Sequence, residues 1–226
     1  MTSSAARPSD LHQHRYAART ARANATRARV VSAAQQLFTE RGYLYTTMAD
    51  IAAAASVAVQ TLYLSFGSKA HILSAAFDRS VAGDDETLAI LDRPWVSALR
   101  DAPGLHEALE LLVAQGTAIV IRATPIYLRV QEACADAEVA DVLTTQRARR
   151  YETDRRLAEL VAAKPGFRGD VTVDRAADII YAVVSEDTYR LCCVDRGWEP
   201  GEWQAWCLMT LRAALAEPPA GVSWPP

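Results

Sequence analysis

Between Thr46 and Lys69 the chain reads TTMADIAAAASVAVQTLYLSFGSK, a stretch that only a narrow set of folds can house. It predicts two short helices joined by a tight turn, with another helix beginning immediately after. Thr47 stands where a hydroxyl accepts from the backbone three residues on, and Asp50 holds the reciprocal position of a capping box. Met48, Ile51, Ala52 and Ala55 then recur at i, i+3, i+4 and i+7, the buried stripe of a small helix. Ser56 and Val57 make the turn. From Ala58 to Phe66 the next helix points Leu62 and Phe66 inward and leaves Val59, Gln60, Thr61, Tyr63, Leu64 and Ser65 largely outward. A face with Tyr and Leu beside Gln and Thr, and almost no charge, makes poor solvent surface. It suits a major groove, which admits one helix and offers methyl groups and hydrogen-bonding base edges.

Composition decides what can carry this pair. With 226 residues the chain has room for one or two domains and a sizeable core. It is 50% hydrophobic, Ala is prominent, and Gly and Pro stay largely outside the periodic segments, which favours an all-α protein. No apolar run approaches the ~20 residues of a membrane span. The N-terminus is polar and Arg-bearing with no apolar core behind it, so it does not read as a signal peptide. The expected location is the cytoplasm, without a membrane partner. The formal net charge of -3 hides an asymmetry: residues 1–80 carry nine Arg and Lys against four Asp and Glu, the remainder fifteen against twenty-three. A basic head on an acidic body implies that only the head meets a polyanion, with the body's charge helping to orient it.

The run Thr47-Met48-Ala49-Asp50-Ile51-Ala52, then Val57, Thr61-Leu62-Tyr63, Phe66-Gly67-Ser68-Lys69 and Leu73, resembles the helix-turn-helix of the TetR family of transcriptional regulators. Upstream, Ala33-Ala34, Leu37-Phe38, Arg41-Gly42-Tyr43 and Thr46 match the same family's first helix and loop. The resemblance covers roughly residues 26–75; beyond it the chain is similar to the family in helicity and length. Three positions depart from the pattern. Ser56 stands where the family usually has Gly, at a backbone position that favours left-handed geometry. Ala58 stands where a capping Ser is common, and Ser65 where an aromatic or His is common. The resemblance implies an all-α chain of about nine helices. An N-terminal three-helix, helix-turn-helix DNA-binding domain would be followed by a C-terminal helical domain for ligand binding and dimerisation. It also implies a homodimer whose last two helices pack against their copies, and a small, mostly apolar or aromatic effector inside the body.

On this reading residues 1–25 form a flexible basic arm, 26–80 the DNA-binding domain, 81–216 the effector-binding and dimerisation domain, and 217–226 a frayed Pro-rich tail. Arg22 and Arg27 belong to an Arg-rich leader that can follow the DNA backbone or enter the minor groove. The first helix is expected from about Thr26 to Arg41, with Gly42 supplying its left-handed C-terminal residue. Thr47 and Tyr63 are expected to bond phosphates, and Lys69 to add a charged contact. Val59, Gln60, Thr61 and Leu64 would face base edges, Gln60 being the side chain suited to bidentate reading of adenine. Met48, Ala58 and Ser65 complete the expected contact surface.

In the body, one helix is expected over about Leu105–Ala123, a shorter one from Pro125 to Cys134, and another over Asp136–Ala163. The last carries Arg147, Arg149, Arg150, Asp154, Arg155 and Arg156 as a solvated face with pairs such as Glu152 and Arg156. After a break at 164–169 come Asp174–Asp195 and Pro200–Ala216, whose surplus apolar surface suits a symmetric interface over residues 174–216. Trp95, Arg122, Tyr127, Tyr151 and Tyr181 are the candidates for lining an effector site, although Arg122 equally suits the C-terminus of a helix. Cys134, Cys192, Cys193 and Cys207 show neither metal-ligand spacing nor a CxxC pair and read as small buried hydrophobes. No catalytic motif is present, so no enzyme, cofactor or metal is expected. The function expected is a repressor that binds a palindromic operator as a homodimer and is released by a small effector. The alternative is a helical interaction or sensor module that no longer binds DNA.

Overall fold

The structure, a computed structural model, describes residues 8–83 and 89–217. Among these the regular elements are helical, and the chain divides into two compact units, residues 1–76 and 77–226. The only β pairing among the described residues is an isolated bridge between Phe167 and Ala216.

The first unit holds α1 (Pro8–Arg41), α2 (Met48–Ala54), α3 (Val59–Phe66) and the start of α4 (Lys69–Ala82). Helix α1 begins far ahead of the expected Thr26. Residues 8–25 lack an apolar stripe, but they are rich in Ala and Arg, which favour helix on propensity alone. The segment read as a flexible arm therefore continues a helix from Pro8 on, while residues 1–7 lie outside the described residues. Val30, Ala34, Leu37 and Phe38 of α1 close a core with Ile51, Ala52, Leu62, Phe66, Ile72 and Leu73. Gly42 ends α1 at a φ of +86°, its amide bonded to Phe38 O. Lys69 then fastens the following loop: its Nζ donates to Tyr43 O at 2.8 Å and to Thr46 O at 3.0 Å, and lies 3.9 Å from the centre of the Tyr43 ring.

The second unit is built around α6 (Leu105–Glu132), against which α5 (Pro94–Asp101), α7 (Ala137–Ala162), the short α9 (Glu186–Tyr189) and α10 (Pro200–Leu215) pack. Helix α8 (Val173–Val183) lies along α7 and also meets α10. Pro125 was expected to open a separate helix; instead it lies inside α6. It removes one backbone donor, and Thr124 Oγ1 donates to Val120 O at 2.7 Å, a local bond of the kind that lets a helix run on with a bend. The merged helix is long and apolar enough, by length and composition alone, to cross a bilayer. Here Leu109, Leu112, Val113, Val120, Ile126 and Val130 are buried among neighbouring helices, the setting of a core helix.

The expected helix Asp174–Asp195 is also corrected. It breaks after Val183 into α8, α9 and a π-helical turn, Arg190–Asp195. Ser185 caps the restart by accepting from Thr188 N at 3.1 Å, while the Thr188 hydroxyl donates to Val183 O at 2.8 Å. Arg150, reaching across from α7, donates to Tyr181 O at 2.6 Å and Val184 O at 2.8 Å, so the carbonyls freed by the break are satisfied. Trp203 is fully buried in this unit, with Nε1 3.3 Å from Thr188 Oγ1 and its ring edge-on to Tyr189.

Candidate nucleic-acid interface and body cavity

The capping box at the start of α2 is fully formed. Asp50 N donates to Thr47 Oγ1 at 3.1 Å, and Thr47 N and Oγ1 both donate to Asp50 Oδ2, at 2.8 and 2.6 Å. These bonds hold the Asp50 carboxyl below its ordinary pKa. They also use the hydroxyl proton of Thr47 that was expected at a phosphate. Met48 is half-buried beside it. The turn to α3 passes through Ser56, the one described non-glycine residue at positive φ, +54°. Ala58 is the N-cap of α3 and gives it no side-chain bond, as its methyl requires.

Helix α3 buries Leu62 and Phe66 and turns out the face expected. Leu64 is 84% exposed and Tyr63 54%, with Val59, Gln60 and Ser65 also exposed and Thr61 half-buried. The Gln60 amide and the Tyr63 hydroxyl have no hydrogen-bond partner among the described residues. Arg27 lies at the far end of this helix, donating to Ser65 O at 3.3 Å with its guanidinium 4.2 Å from the centre of the Phe66 ring. Arg22 is exposed on α1. Two of the three expected cationic contacts, Arg27 and Lys69, are thus bonded within the unit. Sequence reasoning missed Tyr45 and Leu44, 81% and 64% exposed in the loop before α2. The available signal was two large apolar residues in a loop that no helical stripe could bury.

The candidates for the effector site separate. Trp95 and Arg122 come together, with Arg93, Gln115, Ile119 and the Val81–Gly83 end of α4, around a cavity of about 250 Å³. Arg122 donates through Nε to Ser80 O at 3.4 Å and through a terminal nitrogen to Val81 O at 3.2 Å, closing the C-terminus of α4. Gly83 follows at a φ of +82°, and a Cβ there would come within 2.8 Å of the guanidinium carbon. Tyr127 belongs to a different cluster: its hydroxyl donates to Asp187 Oδ2 at 2.9 Å and accepts from Gln131 and Arg147. Burial raises the Tyr127 pKa, and the bond to Tyr127 raises that of Arg147. Tyr151 donates to Asp178 Oδ1 at 3.1 Å and packs edge-on to Tyr181, whose face carries the Arg150 guanidinium.

The Arg-rich face of α7 is only partly solvated. Arg149, Arg155 and Arg156 lie outside, the last paired with Glu152 at 3.2 Å as expected. Arg150 and Asp154 turn inward, because with Leu143, Leu157 and Val161 they recur at three- and four-residue steps along one stripe; Arg147, on the same stripe, stays exposed and reaches the Tyr127 hydroxyl at 3.2 Å. Arg150 bonds Glu186 at 2.9 Å and lies 3.5 Å from Asp154, whose carboxyl burial pushes up to about 7. Of the cysteines, Cys134 is exposed, contrary to expectation, because it falls in the turn after α6. Cys207 is buried, and burial raises its thiol to about 12. No group of residues suited to a metal occurs among the described residues.

The sequence profile of the bacterial regulatory proteins of the tetR family matches residues 30–76. Over 56 residues the chain is 41% identical to the HTH-type transcriptional regulator TtgR of Pseudomonas putida, a match covering 25% of this chain and 27% of that protein. The chain thus spans about a quarter of the curated relatives it matches. Whole-chain likeness comes from solved structures and is one of fold. A putative transcriptional regulator from Saccharomonospora viridis, solved in complex with choline, superposes with a TM-score of 0.63 at 21% identity, over 85% of this chain and 98% of that one. NalD, the secondary repressor of the MexAB-OprM multidrug efflux pump in Pseudomonas aeruginosa, gives 0.63 at 17% identity over 86% and 98%. Over residues 30–76 the chain thus resembles the bacterial regulatory proteins of the tetR family, and its whole described fold is similar to that of solved transcriptional regulators.

Proposed function

We propose that this chain is a cytoplasmic, ligand-responsive repressor that binds a palindromic operator as a homodimer and is released by a small effector. The observation that carries this reading is the outward face of α3: Val59, Gln60, Tyr63, Leu64 and Ser65 expose apolar and amide surface without a charge among them. One helix of this length reaches only ~4–5 base pairs, so useful specificity requires two copies on a symmetric site. Support for that pairing comes from Leu191, Val194, Trp198 and Met209, large apolar residues exposed within residues 174–216. In this reading Tyr63 and the loop residue Tyr45 meet phosphates, Arg22 follows the backbone, and Gln60 reads a base. Residues 26–80 form the DNA-binding part and 81–216 the effector-binding and dimerising part.

Release follows from the fixed spacing of grooves on DNA. A ligand that favours a body conformation with a different separation of the two recognition helices weakens both half-sites together. The test is a fluorescence-anisotropy titration of the full chain on the DNA flanking its own gene, with stoichiometry measured. Two chains per duplex and discrimination of at least about a hundredfold over scrambled DNA are expected. Equal affinity for both would favour the sensor-module alternative, which draws on the internal bonding of Thr47, Lys69 and Arg27.

A further inference from the structure

The cavity beside the end of α4 has a definite chemistry. Two guanidinium side chains, Arg93 and Arg122, and the primary amide of Gln115 face it together with the Trp95 indole, and none of its described lining residues is acidic. A planar, bidentate cationic fork beside an aromatic wall is how proteins hold a carboxylate attached to a flat apolar body. The volume sets the size. A cavity of ~150 Å³ accepts benzene, so about 250 Å³ accommodates one or two fused rings with a small anionic group.

Arg122 gives this site a consequence. It bonds Ser80 O and Val81 O, last-turn carbonyls of α4, and its remaining N–H donors have no partner among the described residues. A neutral carbonyl is a weaker acceptor than a carboxylate, because a charge-assisted bond is roughly twice as strong as a neutral one. An anion in the cavity engages those unpartnered donors and, as the stronger acceptor, pulls the guanidinium away from its long 3.4 and 3.2 Å bonds to the helix end. Resting on the ligand-responsive reading above, we propose that the effector is a small aromatic carboxylate, held by Arg122 and Arg93 against Trp95. Its binding draws Arg122 off the C-terminal carbonyls and frees the last turn of α4.

The experiment is calorimetry of the full-length chain with 1-naphthoate and its uncharged isostere 1-naphthamide, with hydrogen exchange of the Val81–Gly83 amides in parallel. The acid is expected to bind at least about tenfold tighter than the amide. Arg122→Gln or Arg93→Gln should erase that preference, and exchange at the α4 end should quicken in the naphthoate complex. The comparison of acid with amide in the unaltered chain stands even if Arg122→Gln disturbs the fold. Equal or tighter binding of the amide overturns the proposal, as does naphthoate binding that Arg122→Gln leaves unchanged. Asp84, Asp85 and Glu86 follow Gly83 and lie outside the described residues. Naphthoate that binds only after their conversion to Asn, Asn and Gln also overturns it. Arg-dependent naphthoate binding that leaves DNA affinity unaltered keeps the ligand class and removes the repressor-release reading. Release of DNA by a neutral compound alone does the reverse.

Discussion

Ser56→Gly isolates the backbone cost of the turn that sets α3. Ser56 holds a φ of +54°, where an L-residue with a Cβ carries roughly 1–2 kcal/mol of steric cost. Its side chain is exposed and has no hydrogen-bond partner among the described residues, so removing it sacrifices no contact there. Against the relief stands the greater freedom that Gly gives the unfolded chain, roughly 0.4–1 kcal/mol. The net expectation is a gain of about 0.5–1 kcal/mol, or an increase of ~1–4 °C in Tm for a chain of this size. Urea denaturation followed by circular dichroism reads the first, differential scanning calorimetry the second. Ser56→Ala keeps the Cβ and should gain nothing, while Ser56→Val, branched at that atom, should lose stability. A Gly variant no more stable than the Ala variant would refute the argument that this turn stores strain.

Ala58→Ser supplies the missing N-cap of α3 and should add about 1 kcal/mol in the same urea assay; because the site neighbours Ser56, the double variant shows whether the two gains add. Gly116→Ala places a Cβ 2.6 Å from Val184 Cγ1, so the contact between α6 and the break after α8 must shift, and chemical denaturation should show a loss of about 1–3 kcal/mol. Asp154, raised by burial to about 7, keeps its proton in the folded chain and loses it near 3.8 in the unfolded one. Its contribution to stability therefore falls as pH rises from about 4 to 7, by at most roughly 4 kcal/mol. Asp154→Asn should remove that decline, so that urea midpoints at pH 5 and pH 8 converge; midpoints that keep the same separation would count against a buried, titrating Asp154.

The helix-turn-helix was legible because its determinants are local. A Thr–Asp capping box, an i, i+4 stripe and a turn with one strained residue each lie within a few positions of what they specify. The body was less so, because its determinants are tertiary. Pro125 ends a helix in isolation, yet buried neighbours on both sides carry α6 through it. Arg150 and Asp154 look solvated by composition, and only a phase shared with Leu143, Leu157 and Val161 reveals that they turn inward. The break at Val184 depends on Arg150, more than thirty positions upstream, to receive its carbonyls. Of the effector candidates, Trp95 and Arg122 meet at the cavity while Tyr151 and Tyr181 pack together elsewhere, through packing that no spacing encodes.

The central claim, that two copies of α3 read a symmetric DNA site, is tested most directly by selecting bound duplexes from a random library with the full-length chain and sequencing them. The account predicts enrichment of inverted repeats, with Gln60→Ala relaxing preference at one symmetric pair of positions while leaving the rest intact. A pool that stays random, or a loss of binding from Gln60→Ala that is uniform across sequences, would contradict it.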